Sequence, residues 1–140
     1  MIIQLFAALV GSLGFAALFN LHGKKLIVSA LGGLGAWAVY LALNAVLPNA
    51  NLSALITCAL ITLHSEFLAR KMRAPAIIFM VGATIPLIPG AGLYRTAGAL
   101  MTGNWQGVAE NGLPTLLFAA SMSAGIALVS LLFRIFARRH

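Results

Sequence analysis

Side chains able to carry acid–base or metal chemistry are scarce in this sequence of 140 residues. It contains two carboxylic acids, Glu66 and Glu110, together with three histidines and a single cysteine, Cys58. The two acids form no pair suited to general acid–base catalysis, and no His, Cys or carboxylate spacing suits a metal ion. The sequence therefore predicts neither an enzyme nor a bound metal or cofactor. Cys58 lies in an apolar run and is expected to be a small buried hydrophobe.

One short segment places ionisable side chains within an apolar run. Such residues are costly in a membrane span and often mark function. Glu66 precedes Arg70 by four residues, which is the favourable order for a helix ion pair that would orient the helix near the cytoplasmic surface. His64 points to a different side of the helix from Glu66, and histidine titrates near neutral pH, which suits a proton relay. Ion coupling and a structural ion pair both remain open for these three residues.

The most informative segment is Pro86-Leu-Ile-Pro89-Gly90, which interrupts an apolar run. Proline inside a helix removes a hydrogen bond and frees the carbonyl four residues back, here the carbonyls of Gly82 and Ile85. In lipid, unwound backbone is tolerated mainly where it lines a cavity or is buried in protein. Gly90 is expected to let the chain turn and restart as a helix. The simpler interpretation of the segment is a kink that only shapes helix packing.

The restarted helix would present open amide N–H groups and the positive end of its dipole. Transporters use discontinuous helices of this kind to hold a substrate carboxylate. Arg95 lies beyond the break and is expected either to attract an anionic group or to extend its side chain to the outer interface. The predicted substrate-path residues are Gly82, Pro86, Pro89, Gly90, Tyr94 and Arg95.

The elements that must position these residues are membrane helices. The chain is 61% apolar and 8% charged, whereas soluble domains carry roughly 25% charged residues. A span needs about 20 mainly apolar residues, and the runs here are too long for barrel strands. The sequence predicts an all-α integral membrane protein with one transmembrane domain, 1–140, and about five spans. They cover residues 2–19, 26–47, 52–69, 75–102, which is broken, and 113–136.

Short polar turns separate the spans and suggest an orientation. Asn51 is a predicted helix cap, and Pro75 is predicted at the first position of the next helix.

The net charge is +7, but the basic residues stand at the ends of apolar runs and form no face that reads nucleic acid. With the N-terminus outside and the C-terminus cytoplasmic, eight of the nine basic residues lie inside, including Arg138 and Arg139. No basic residue precedes Lys24, so the first run is predicted to be a retained span.

Pairs of small residues four positions apart recur along the spans. This spacing lets helix backbones approach closely, either within the chain or against another subunit. The pairs are Ala7 with Gly11, Ser29 with Gly33, Gly32 with Ala36, and Ser121 with Gly125.

Several motifs together resemble the C-terminal half of the threonine/serine exporter superfamily. They are Glu66-Phe-Leu-Ala-Arg70, Arg73-Ala-Pro75-Ala, Ile85-Pro-Leu-Ile-Pro-Gly90 and Leu93-Tyr-Arg95, with Phe19-Asn20 after the first span. The similarity is most specific over residues 64–103 and is closest to the short stand-alone subunit of split exporters. It implies export of threonine and serine, or of a dicarboxylate such as succinate. It also implies a longer membrane subunit as partner.

We therefore expect a subunit of a secondary exporter in a bacterial inner membrane, driven by an ion gradient. No nucleotide-binding loop of the GxxxxGK[ST] kind is present in the sequence. The main alternative is a non-catalytic assembly subunit that docks a transporting partner, and a third hypothesis is a self-assembling pore. The partner that completes the exporter is either a different subunit or further copies of this chain.

Overall fold

A computed structural model describes residues 2–137 of the chain. Arg138 and Arg139 of the predicted cytoplasmic tail lie outside the described residues, so their placement stays a prediction. The described chain consists of six α-helices, a single 3-10 turn and short connections. The helices are α1 (Ile2–Leu18), α2 (Lys24–Val46), α3 (Ala50–Met72), α4 (Ala76–Thr84), α5 (Gly90–Met101) and α6 (Trp105–Ala137).

The helices have the length and composition of a membrane protein. Three of those described, α2, α3 and α6, are long and apolar enough to cross a membrane, and α4 with α5 supply a fourth when taken as one bent span. The first helix is apolar but shorter, with 17 residues. The helical membrane class is therefore confirmed, whereas the count of five spans and their orientation stay predictions.

Local caps and turns explain where the helices begin and end. The chain reverses between α1 and α2 through positive φ angles of 59° at Asn20 and 60° at Gly23. The side chain of Asn49, and not of Asn51, caps α3, because its Oδ1 accepts from the amides of Asn51 and Leu52 at 2.9 and 3.4 Å. At the other end, Arg73 adopts the left-handed conformation that closes α3.

The fourth apolar run breaks where its prolines lie. Pro75 is the N-cap of α4 and not its first helical residue. A 3-10 turn at Ile85–Leu87 follows α4, and α5 begins at Gly90 after a bend of 62°. Neither Gly90 nor Gly92 has a positive φ; among the described glycines only Gly23 and Gly103 do. The break therefore arises from proline chemistry and does not need glycine's access to left-handed backbone.

The last helix differs from its predicted extent. It begins at Trp105, not near Leu113, because Asn104 Oδ1 accepts the amide of Gly107 at 2.9 Å and so caps a helix in the polar stretch. Its 33 residues correspond to about 50 Å, well beyond the roughly 30 Å of a bilayer core. Pro114 lies inside it without ending it. Part of α6 must therefore extend beyond the hydrocarbon core if the helix stands upright.

Two interhelical contacts fix the relative direction of α3 and α6. Gly125 of α6 approaches the backbone of Leu55 and Ala59 in α3, and the Arg70 guanidinium of α3 lies over the Phe133 ring of α6. The residue numbers rise together along both helices, so the helices run parallel. In contrast, α5 runs antiparallel to the first half of α6, with Gly92 against Thr115 and Thr96 against Gly112.

The core lies where α2, α3, α4 and α6 meet. It is built from small and medium side chains, and Cys58 is completely buried there as a free thiol. An aromatic group of Trp37, Tyr40 and Phe118 packs beside it, with ring centroids 5.3 and 5.9 Å apart. The buried members are Ala36, Ala54, Cys58, Ile61, Ala83, Leu87 and Met122.

Candidate transport site

The break between α4 and α5 leaves one carbonyl without its usual helical partner. Pro86 has no N–H for the carbonyl of Gly82, and that oxygen lies 3.1 Å from the point where a β-carbon on Gly33 would stand. The second carbonyl expected to be free, that of Ile85, instead accepts the amide of Ile88 at 3.2 Å. The 3-10 turn thus gives the Ile85 carbonyl a hydrogen-bond donor, whereas the Gly82 carbonyl packs against α2.

Close contacts hold α4 against α1 and α2 just before the break. The Ser29 hydroxyl donates to the carbonyl of Ile78 at 3.5 Å and lies against Gly82, where a β-carbon would overlap it. The Ser12 hydroxyl lies against Gly33 in the same way. Ser12 is fully buried, and its hydroxyl has no hydrogen-bond partner within the described residues. These contacts allow no side-chain growth at Gly33 or Gly82.

The restart of the helix leaves backbone amides open. Pro89 is the N-cap of α5 and offers no side-chain cap, and the first helical bond runs from the Leu93 amide to the Pro89 carbonyl at 3.1 Å. The amides of Ala91 and Gly92 precede that bond and so lack a helical acceptor. No acidic residue lies in the first turn. The arrangement suits an anionic group, since both the amides and the helix dipole favour negative charge.

The side chains beyond the break are exposed on α5. Tyr94 keeps 81% of its surface accessible, and Arg95 is also exposed. Among the described helices α5 packs closely on α6, where Gly92 fits against Thr115, and no residue of α5 is buried. The predicted substrate-path residues thus divide into three groups. Gly82 belongs to the close contact between α4 and α2, and Pro86 and Pro89 belong to the turn. Gly90, Tyr94 and Arg95 lie on the exposed surface of α5.

A separate cavity of about 450 Å³ lies between α2, α3 and α4, adjacent to the break. Its floor includes Phe79 and Ala83 of α4, and most of its wall is apolar. The polar side chains that line it are Thr57, His64 and Ser65, all from α3. Only His64 among the predicted site residues therefore reaches this cavity. Thr57 donates its hydroxyl to the carbonyl of Ser53 at 2.7 Å, so that hydroxyl is already engaged within the helix.

Glu66 and Arg70, the other two residues predicted for ion coupling or an ion pair, do not line the cavity with His64. The Arg70 guanidinium lies 5.1 Å from the centroid of the Phe133 ring, a cation–π contact that ties α3 to α6. Glu66 is half-buried and does not line the cavity. The structure places His64 in the wall of the cavity between α2, α3 and α4, and it places Arg70 at the α3–α6 contact.

The residues overlooked in the sequence are small hydroxyl side chains. Ser12, Thr57 and Ser65 are buried at the contacts around α4 or along the cavity. Ser29 is buried there too, and the sequence predicted it only as one of a pair of small residues with Gly33. Their helical spacing, as in Ser53 and Thr57, was a visible signal, because hydroxyls in spans favour close helix packing. The identity of their partners across helices depends on the rotation of each helix, which no local pattern fixes. The small pairs of α2 and α6 pack within the chain, while nothing lies within 4 Å of a β-carbon built on Gly11.

A proline-broken segment with an open helix start, in a bundle of apolar helices, is a feature found in many membrane transporters. Residues 4–132 match the family described as Threonine/Serine exporter, ThrE. The chain belongs to this family, which is one of transporters and not of enzymes. A search of curated proteins and a search of solved structures each found no match.

Proposed function

We propose that this chain is a membrane subunit of a secondary exporter of small metabolites that carry a carboxylate. The family supports threonine and serine as substrates, and a dicarboxylate such as succinate would present the same chemical group. An ion gradient across a bacterial inner membrane would drive export. The family match covers nearly the whole chain, so this role rests on the chain itself and not on a short motif.

The break between α4 and α5 carries the proposal. The open amides of Ala91 and Gly92 and the dipole of α5 would hold the carboxylate, and the exposed guanidinium of Arg95 would attract it. Tyr94 lies on the same exposed helix. Pro86 and Pro89 have the role of keeping the backbone unwound, and Gly82 that of seating α4 on α2.

The direction of α6 favours an α4–α5 segment that crosses the membrane, and not one that forms a re-entrant loop. Since α6 runs parallel to α3, the segment between them must return the chain to the side where α3 begins. A re-entrant α4–α5 pair would leave α6 starting on the side where α3 ends. We propose five spans, with α1 as the first and the basic ends of α3 and α6 in the cytoplasm.

A partner subunit would complete the transport path. No residue of α5 is buried, and its helix start and Arg95 are accessible from outside the bundle. A binding site in a membrane must be screened from lipid, so a second surface has to cover α5. The proposed cover is a longer exporter-family subunit, or further copies of this chain. His64, at the cavity beside the break, is the proposed proton-coupling residue, with Glu66 and Arg70 structural.

Export by cells that carry both subunits tests this function. Pro86→Ala, Pro89→Ala and Arg95→Ala are each expected to abolish most threonine, serine or succinate export at normal protein level. Pro114→Ala is the matched control, because this proline lies inside α6 and ends no helix. If all three site variants export as the control does, the broken helix is not the substrate site. Normal export together with retained partner binding would support the assembly role instead.

A further inference from the structure

A second cavity, of about 680 Å³, lies at the end of the molecule where the α1–α2 and α3–α4 turns meet. We call it the basic cavity. Its polar lining consists of Asn20, His22, Lys24 and Lys25 from the first turn and the start of α2. None of the residues that line it is acidic. It shares no lining residue with the cavity beside the break in the fourth segment.

The start of α2 adds backbone donors to these side chains. Lys24 and Lys25 are the first two residues of the helix, whose N-cap, Gly23, provides no side-chain cap. The first turn of α2 contains no acid. The first amides of a helix lack internal acceptors, and its dipole places partial positive charge there. Two lysines and a histidine therefore line one cavity beside the start of a helix.

The rest of the lining is apolar. Phe19 and Leu21 come from the first turn, Met72 from the end of α3 and Ile78 from α4. Phe19 remains 60% exposed. The exposed Lys71 and Arg73 flank Met72, so the surroundings add further positive charge. A cavity that joins a basic pocket to apolar walls at the end of membrane helices fits a group that is anionic at one end and apolar at the other.

We propose that the basic cavity binds a phosphate group, with Lys24 and Lys25 as its principal ligands. The phosphate can belong to the headgroup of an anionic phospholipid, whose glycerol and acyl carbons would lie along Phe19 and Ile78, or to a free phosphate ion. Lysine binds phosphate as a point charge, and an ionised acceptor strengthens each hydrogen bond. The site is independent of the proposed transport path.

Lipid binding to the purified protein in neutral detergent tests the site. Phosphatidylglycerol is titrated against phosphatidylcholine with the same acyl chains, and bound lipid is counted by native mass spectrometry. Lys24→Gln with Lys25→Gln is expected to weaken phosphatidylglycerol binding by about tenfold or more. Arg70→Gln with Arg134→Gln is the matched control, because it removes two positive charges outside the cavity lining, with Arg70 at the α3–α6 contact. It is expected to change binding by less than about threefold.

Two further measurements separate the sources and guard against misfolding. Inorganic phosphate that displaces the lipid at millimolar concentration supports a site open to free phosphate, whereas no displacement supports a headgroup site. Lys24→Arg with Lys25→Arg keeps the charge and is expected to retain binding within about twofold. Equal losses in the cavity and control variants, or equal binding of the two lipids by the native chain, would overturn the proposal.

Discussion

The hydroxyl of Ser12 in α1 packs directly against the backbone of Gly33 in α2, so that a β-carbon on Gly33 would overlap it. The carbonyl of Gly82 in α4, which Pro86 deprives of its helical partner, lies on the same side of Gly33. Three helices therefore meet at one glycine, directly before the break. A residue without a side chain is required there because the Ser12 side chain and the Gly82 carbonyl occupy the space that a β-carbon would take.

The first prediction concerns stability at this junction. Gly33→Ala is expected to lower the free energy of unfolding by about 1–3 kcal/mol, because the added methyl group forces α1 and α4 away from α2. Reversible unfolding in mixed micelles measures it. Gly35→Ala is the control in the same helix, since nothing lies within 4 Å of its β-carbon position. Equal stability of the two variants would contradict the packing described here.

The second prediction concerns the contact between α5 and α6. Gly92→Ala would place a methyl group on the Thr115 side chain and shift the start of α5, where the open amides lie. We expect a several-fold loss of export at unchanged protein level. Gly98→Ala in the same helix meets no atom within 4 Å and is expected to export normally. Loss of export in both variants would indicate a general effect on α5, and not on its start.

The third prediction separates His64 from its neighbours in the cavity. His64→Gln keeps a polar side chain of similar size but cannot titrate, so export is expected to lose its dependence on a proton gradient. Thr57→Val lines the same cavity and removes a hydroxyl that is already bonded within α3. Its export is expected to remain close to normal. Transport into inverted vesicles at fixed and varied pH gradients measures both, and an unchanged gradient dependence in His64→Gln would exclude a proton relay there.

The fourth prediction tests whether the α4–α5 segment crosses the membrane. In a Cys58→Ala background, Thr102→Cys is expected to react with a membrane-impermeant maleimide added outside intact cells. Lys71→Cys is expected to react only after the cells are opened. Both positions are exposed, and they lie at opposite ends of the α4–α5 segment. Reaction of both cysteines from the same side would establish a re-entrant loop and refute the proposed topology.

Sequence reasoning succeeded where a single residue type dictates local backbone. Pro86 and Pro89 locate the break because proline cannot donate a hydrogen bond in any context. It failed at the start of α6, where a polar stretch reads as a loop until Asn104 is seen to cap it. It also chose Asn51 over Asn49 as the cap of α3, since both asparagines suit the role and only the backbone angle decides.

The candidate site was predictable only in part for a related reason. The break and the open helix start follow from local chemistry, whereas the pairing of Ser12 with Gly33 depends on how two helices are rotated about their axes. The cavity beside the break depends on three helices together. The sequence shows where serine, threonine and glycine lie along each helix. Which of them contact one another is decided by the packing of the helices.

The helices on either side of the break have different neighbours. α4 packs on α1, α2 and α3, while α5 packs closely on α6. The two prolines therefore lie between two groups of packed helices. A tilt of α5 with the first half of α6 would leave the contacts of α4 with α1, α2 and α3 intact. We hypothesise that such a tilt would carry the anion-binding amides from one side of the membrane towards the other, like a pivoting gate. Spin labels at Ala97 and Leu31 would report a changed distance on substrate addition, and an invariant distance would rule the pivot out.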